Sequence, residues 1–220
     1  VDADANSNLN EVLGVDVEMT LGDIRENIAQ AELAPVSPIP AGMTKADYAE
    51  MMFSDALTEA DNFDLLVMGR TQGKGCYCYV NGILTTQVAK YAKNYRYIVV
   101  DNEAGLEHLS RGVLPQVDTI LLVSDCSRRG VQAAGRLAEM IGELKLGAKE
   151  VGLIINRAPG GQISDGVRQE IDRYGMRLIG IVPHDDAVYE YDAEGKPSVT
   201  VPENSPVKQA VHRIFDQLSL

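Results

Sequence analysis

The sequence predicts a three-layer α/β fold, a doubly wound and mostly parallel sheet with helices on both faces. The first observation is a set of five short runs that are almost uniformly apolar and often β-branched. They are Phe63–Met68, Tyr97–Val100, Thr119–Ser124, Val151–Ile155 and Leu178–Val182. Parallel strands covered on both faces read this way, whereas half-exposed strands alternate. The second is that helical stretches with recognisable starts lie between and beyond these runs. The third is size: 220 residues, 45% of them apolar, suit one sizeable core, and two independent cores would be tight. Residues 1–220 are therefore read as a single domain.

The chain opens on Val1-Asp2, which reads as the last step of a strand already under way. A first strand, loop and helix of roughly 30 residues are expected ahead of it. Thr20 with Asp23, and Thr44 with Asp47, have the spacing of a reciprocal helix cap. Leu33 to Gly42, with its prolines, is expected to be a loop between the two helices so capped. Ser205-Pro206 supplies a cap and a first helical residue for the last helix. There, Val211, Ile214, Phe215 and Leu218 form an apolar stripe at helical spacing, expected to pack onto the sheet. A membrane-surface helix would need a more basic polar face.

Charge and composition exclude several functions. The formal net charge is −12, and no Lys/Arg cluster is longer than Arg128-Arg129. Tracking nucleic acid requires a basic face that replaces condensed counterions, so no nucleic-acid partner is expected. No apolar run approaches membrane-spanning length and no signal peptide is visible. Of the three cysteines, two are separated by a single residue. That is no secreted disulfide framework, and a reducing cytoplasm is the expected setting.

In a doubly wound sheet, ligands sit at the carboxyl ends of the strands. The residues there are Asp2 and Asp4, Gly69 to Cys78, Asp101 to Gly105, Ser124 to Arg129, Asn156 and Pro183. Asp2-Ala-Asp-Ala-Asn-Ser-Asn8 puts two carboxylates at a strand end. Such a pair suits magnesium coordination and the orientation of an attacking water. A helix cap ahead of Leu9-Asn-Glu-Val-Leu13 is the plainer alternative. Tyr97-Ile-Val-Val-Asp101, followed by a Gly-containing turn, has the layout of a strand whose terminal acid holds magnesium through water. Asn156-Arg157-Ala-Pro-Gly-Gly161 is a turn on its face.

Cys76 and Cys78 are two residues apart, so in an extended segment both sulfurs point the same way. Two thiolates are half of a tetrahedral site, and a two-fold dimer would supply the other half. Soft thiolates suit zinc or nickel better than magnesium, and Arg70 and Lys74 favour the thiolate form. The alternative is that the two cysteines pack as small apolar residues, but Gly73, Lys74, Gly75, Tyr77 and Tyr79 make a better exposed loop than a core segment. Cys126 is expected to be a packing residue, and His108 and His184 to be solvated or hydrogen-bonded groups.

Taken together, Asp-x-Asp, Ile-Val-Val-Asp101, Ile-Ile-Asn156-Arg157 and Ile-Gly-Ile-Val-Pro183 resemble the MinD/ParA branch of P-loop ATPases. Asp101-Asn-Glu-Ala-Gly-Leu-Glu-His-Leu-Ser110 and Gly75-Cys-Tyr-Cys78 resemble the accessory ATPases that insert nickel into carbon monoxide dehydrogenase or acetyl-CoA synthase. The resemblance implies a MinD-like P-loop fold, here without its first strand, phosphate loop and first helix. It implies a homodimer that hydrolyses ATP with Mg2+ and carries nickel or zinc on Cys76 and Cys78 to a nickel enzyme. Asp4 would orient the attacking water, Asp2 would organise magnesium, and Asp101 would be the Walker B acid. Asn8 would face nucleotide across the dimer. Asn156 and Arg157 would lie against the base, with Pro183 lining it.

Two departures stand out. The family's Asp-Pro is Asp4-Ala5 here, and no Gly-Lys-Ser or Gly-Lys-Thr occurs in the chain. Without a phosphate loop's backbone donors, phosphate binding by this chain is expected to be weak. Two other classes stay open: an ATP-switched partner-binding protein without metal cargo, and a dimer held by structural zinc.

Overall fold

The computed structural model describes residues 1–4, 6–33, 39–70, 86, 89–90, 93–102, 105, 117–144 and 147–218. The chain divides into two compact units, Val1–Pro115 and Gln116–Leu220.

In the first unit, a short helix α1 (Leu9–Leu13) ends at Gly14, whose φ of 71° is the left-handed conformation glycine adopts at little cost. Helices α2 (Leu21–Leu33) and α3 (Lys45–Asp55) follow. Both begin as the sequence predicts. The Thr20 N–H donates to Asp23 Oδ2 at 2.8 Å while the Asp23 N–H donates to Thr20 Oγ1 at 3.2 Å. Thr44 and Asp47 repeat the arrangement at the start of α3. The two helices pack Leu21, Ile24, Ile28, Ala49, Met52 and Phe53 against Leu66 and Met68, with Val1 and Ile98 at the margin.

The expected strand Phe63–Met68 is divided. Its first part, β2 (Asp64–Leu65), pairs antiparallel with β1 (Thr58–Glu59). Beyond it, Val67 forms a parallel bridge to Asp2, which bridges in parallel to Asp101. Tyr97–Val100 leads into Asp101 beside the start of the chain: the Val99 carbonyl accepts from the Val1 amino group at 2.7 Å, and the Asp101 N–H donates to the Val1 carbonyl at 2.9 Å. Val99 is 70% and Tyr97 51% exposed, so this apolar run is not covered on both faces as its composition suggests.

The second unit is a parallel sheet in the order β3 (Thr119–Asp125), β4 (Glu150–Ala158), β5 (Leu178–Pro183). Helices α4 (Arg128–Leu144), α5 (Asp165–Arg173), α6 (Asp186–Ala193) and α7 (Pro206–Phe215) complete it. Alternation along the strands sends side chains to both faces. Leu121 and Ile154 pack with Ile179, Val182, Ala210 and Ile214 under α7. Leu122 and Leu153 share a cleft with Ala138 of α4 and with Tyr174.

Glycines allow the close approach. A Cβ on Gly180 would stand 2.3 Å from Ile214 Cγ1, and one on Gly152 would stand 1.8 Å from Ile179 Cδ1. The apolar stripe of α7 packs as expected at Ile214 and Leu218, while Phe215 stays 44% exposed. Ser205 caps α7, with Pro206 in its first turn. This is the α/β architecture the sequence predicts, helices flanking a parallel sheet.

Candidate functional site

In the first unit the carboxylates gather where Asp2 lies between Val67 and Asp101. The Ala3 N–H donates to the Asp101 carbonyl at 2.8 Å, which sets Asp2 and Asp101 side by side. Asp2 is 1% exposed. Its Oδ1 accepts the Asp4 N–H at 3.0 Å, and its Oδ2 accepts the Leu9 N–H at 3.1 Å. The sequence left a magnesium role and a helix cap open for this acidic pair. Asp2 does cap α1, taking an N–H at the first helical residue from across the loop. Asn8 occupies the N-cap position but makes no side-chain cap bond.

Burial, and then the nearby charge of Asp2, raise the Asp101 carboxyl above its ordinary 3.8, with Asp4 adding in the same direction. The acids repel one another, an effect the Val1 amino group offsets in part, and a bound cation would relieve the remainder. Among the described residues, no three His, Cys, Asp or Glu side chains form a direct metal cage. A magnesium ion here would depend on water and phosphate oxygens for most of its ligands, as this ion commonly does.

In the second unit, in-register pairing sets Asp125 beside Asn156 and Ala158 beside Pro183 at the carboxyl ends. Asn156 Oδ1 accepts the Arg157 N–H at 2.9 Å, and Arg157 has φ 55°, unusual for a residue with a side chain. The Asn156 amide keeps its NH2 donors and a second lone pair on Oδ1. Pro183 Cβ lies near Gly161, 3.7 Å from where a Cβ would stand. Asn156, Arg157 and Pro183 therefore line one rim.

Cys126, expected to be a packing residue, instead directs Sγ toward the Arg157 carbonyl at 3.8 Å. His184 pairs with Asp186 at 3.0 Å, the hydrogen-bonded role expected of it. Cys76, Cys78 and His108 lie outside the described residues.

Sequence reading gave no role to Asn6 and Ser7 at the acidic end, and took Arg70 only as a neighbour of the cysteine pair. Ser7 Oγ accepts the Gly69 N–H at 3.0 Å, and Asn6 Oδ1 accepts a bond from Arg70 at 2.7 Å. Local spacing gave no signal for pairs separated by more than 60 positions.

Comparison with known proteins identifies the family and the fold. The profile of the CobQ/CobB/MinD/ParA nucleotide binding domain matches residues 1–199. An uncharacterized ATP-binding protein of Methanocaldococcus jannaschii is 41% identical over 222 residues, covering 99% of this chain and 85% of that protein. The carbon monoxide dehydrogenase accessory protein CooC of Rhodospirillum rubrum is 28% identical over 134 residues, covering 60% of this chain and 49% of that protein. In fold, the chain is similar to the septum site-determining protein MinD of Pyrococcus horikoshii, solved with Mg-ADP. The TM-score is 0.65 at 20% identity, covering 97% of this chain and 79% of that one. No helix among the described residues is long and apolar enough to cross a membrane. The chain belongs to the CobQ/CobB/MinD/ParA family of nucleotide-binding P-loop ATPases.

Proposed function

We propose that this protein is an ATP-dependent metal-insertion factor for a nickel enzyme of the carbon monoxide dehydrogenase or acetyl-CoA synthase type. The observation that carries the nucleotide part is the side-by-side placement of Asp2 and Asp101, with Asp4 tied to Asp2 through its N–H. Asp101, at the open end of its strand, holds magnesium through water. Asp4 is the acid that orients the water attacking the terminal phosphate, and Asp2 fixes the loop carrying Asp4 and helps to organise the ion. Magnesium, when bound, neutralises charge that develops on the phosphate oxygens. Asn156 reads the base with its amide, Arg157 and Pro183 flank it, and Asn8 faces nucleotide across a homodimer.

The cargo part rests on Cys76 and Cys78 and on the similarity to the accessory protein of Rhodospirillum rubrum. Paired Cys76-x-Cys78 segments of a dimer would hold one nickel or zinc ion on four thiolates. ATP hydrolysis would favour the dimer state that releases it, since an ion is handed on only if the two states bind it unequally. The setting is the cytoplasm, and the chain acts as one domain over residues 1–220.

The test is anaerobic metal analysis of the complete protein with nickel supplied, together with oligomeric mass. One ion per two chains, lost in Cys76→Ser and Cys78→Ser, is the expected result. A dimer that forms in ATP and carries no ion would overturn the cargo and leave an ATP-switched partner-binding protein.

A further inference from the structure

Past the carboxyl end of β3 the chain enters α4 through a tightly packed turn. Asp125 Oδ1 accepts the Ser127 N–H at 2.9 Å and the Ser127 hydroxyl at 2.7 Å, and Ser127 Oγ accepts the Gly130 N–H at 3.0 Å. A Cβ on Gly130 would stand 2.2 Å from Asp125 Oδ1, so the turn lies directly against the strand end. Arg128, the first residue of α4, is thereby fixed in its backbone.

Its side chain is fixed as well. Arg128 Nε donates to Glu170 Oε1 of α5 at 2.7 Å, and Nη2 lies 2.5 Å from the same oxygen. The two partners differ in setting: the Arg128 side chain is 66% exposed and that of Glu170 3%. The Arg128 hydrogen bond holds the Glu170 carboxyl below its ordinary 4.5, although burial acts the other way. Glu170 Oε2 is buried and makes no hydrogen bond among the described residues, with Arg173 Nη1 3.7 Å away.

A buried carboxylate with one oxygen unmatched is a poor source of stability. What it does accomplish is aim. A guanidinium carries five N–H donors in a rigid fork, and Glu170 engages the Nε and Nη2 edge. The Nη1 donors are left over on a side chain that stands mostly in solvent. An exposed guanidinium held from behind is suited to gripping an anion, and in a chain of net charge −12 an anion needs such a fixed cation.

The rim formed by Pro183 on β5 and Asn156 on β4 continues to the end of β3, where Asp125 stands in register beside Asn156. Adjacent strands are about 4.8 Å apart, a step that a ribose spans. We propose that Arg128 binds a phosphate of the nucleotide whose base lies at Asn156, and that Glu170 is the positioning residue that aims it. This rests on the base-reading role given to Asn156 above.

The experiment is calorimetric titration of the complete protein with Mg-ATP at low and high salt, with thermal melting of each variant to show that it is folded. Arg128→Ala should weaken binding at least about tenfold, as for a lost charge-assisted hydrogen bond. Its affinity should also fall less steeply with salt than the parent's. Glu170→Met keeps the length of the side chain without its acceptors. Removing a negative charge alone would tighten the binding of an anion, whereas loss of aim weakens it, by at least about threefold. Glu170→Gln, which keeps an acceptor for Nε, should stay within about twofold of the parent. The double variant of Arg128→Ala and Glu170→Met should bind as Arg128→Ala does, because Glu170 acts through Arg128.

Parent-like binding in Arg128→Ala overturns the proposal. So does unchanged or tighter binding in Glu170→Met, or a double variant in which the two losses multiply. If Asn156→Ala weakens binding in the same assay, the nucleotide reading survives that failure. A parent that binds no Mg-ATP overturns both.

Discussion

The two units of this chain are held together in contrasting ways. In Gln116–Leu220, seven-, nine- and six-residue strands pair in parallel ladders, and capped helices pack on the sheet. In Val1–Pro115, backbone hydrogen bonds pair Asp2 with Leu66 and Met68 on one side and its neighbours with Asp101 on the other, and the Asp2 carboxylate adds bonds to the Asp4 and Leu9 N–H groups. A continuous ladder fixes backbone direction by repetition. Around Asp2, side-chain bonds to the following loop add to the backbone pairing. The proposed catalytic acids lie in the second kind of setting, where side-chain bonds hold the loop that carries Asp4. The rim of Asn156 and Pro183 lies in the first kind, suited to holding a base without moving.

The largest stability effect that would sharpen this contrast is Phe53→Ala. Phe53 is fully buried between α2, α3 and the strand carrying Leu66 and Met68. Its truncation should destabilise the first unit by about 3–5 kcal/mol. Amide exchange should show protection lost over Leu21–Asp55 and retained in β3, β4 and β5. Equal loss in both units would mean that the contrast does not extend to stability.

Next is Ser205→Ala. Ser205 caps α7 and donates to Asp185 Oδ2 at 2.6 Å, and it is 6% exposed. Urea unfolding should show a loss of about 1–2 kcal/mol. Thr44→Ala, which removes an exposed cap in the first unit, should lose about 1 kcal/mol in the same assay.

Asp101→Asn should move stability the other way. Asp101 titrates above its ordinary 3.8 in the folded chain because of burial and then the Asp2 charge. Below 3.8 the group is neutral in both states and costs the fold nothing. As pH rises through the elevated folded value, the native state holds the proton longer than the unfolded chain, so stability falls. The variant should therefore melt higher than the parent at neutral pH, with the gain vanishing in acid. An equal gain at every pH would remove the electrostatic explanation.

Much of this could be read in the sequence because much of it is local. Thr20 with Asp23, Thr44 with Asp47, and Ser205 with Pro206 declare helix starts within a few residues. The runs that became β3, β4 and β5 are apolar and pair in a parallel sheet as they look, although Val123 of β3 stays 62% exposed. What could not be read depends on contacts that no spacing encodes. Asp2 reaches across its loop to the Leu9 N–H, Arg70 pairs with Asn6, and Cys126 turns to the Arg157 carbonyl. Tyr97–Val100 pairs beside Val1 but is not buried as its composition suggests, because burial is decided by neighbours. The acids at the strand ends were legible as a set. Their division of labour, with Asp2 capping a helix while Asp101 stays open, was not.

The most direct test of the central claim is the rate of ATP hydrolysis by the complete protein and its Asp4→Asn variant, with nucleotide binding measured on both. The account predicts that the variant still binds Mg-ATP and hydrolyses it at least about 100-fold more slowly, as expected when a water-orienting acid is lost. Hydrolysis at the parent rate in Asp4→Asn would contradict the role given to the acidic loop.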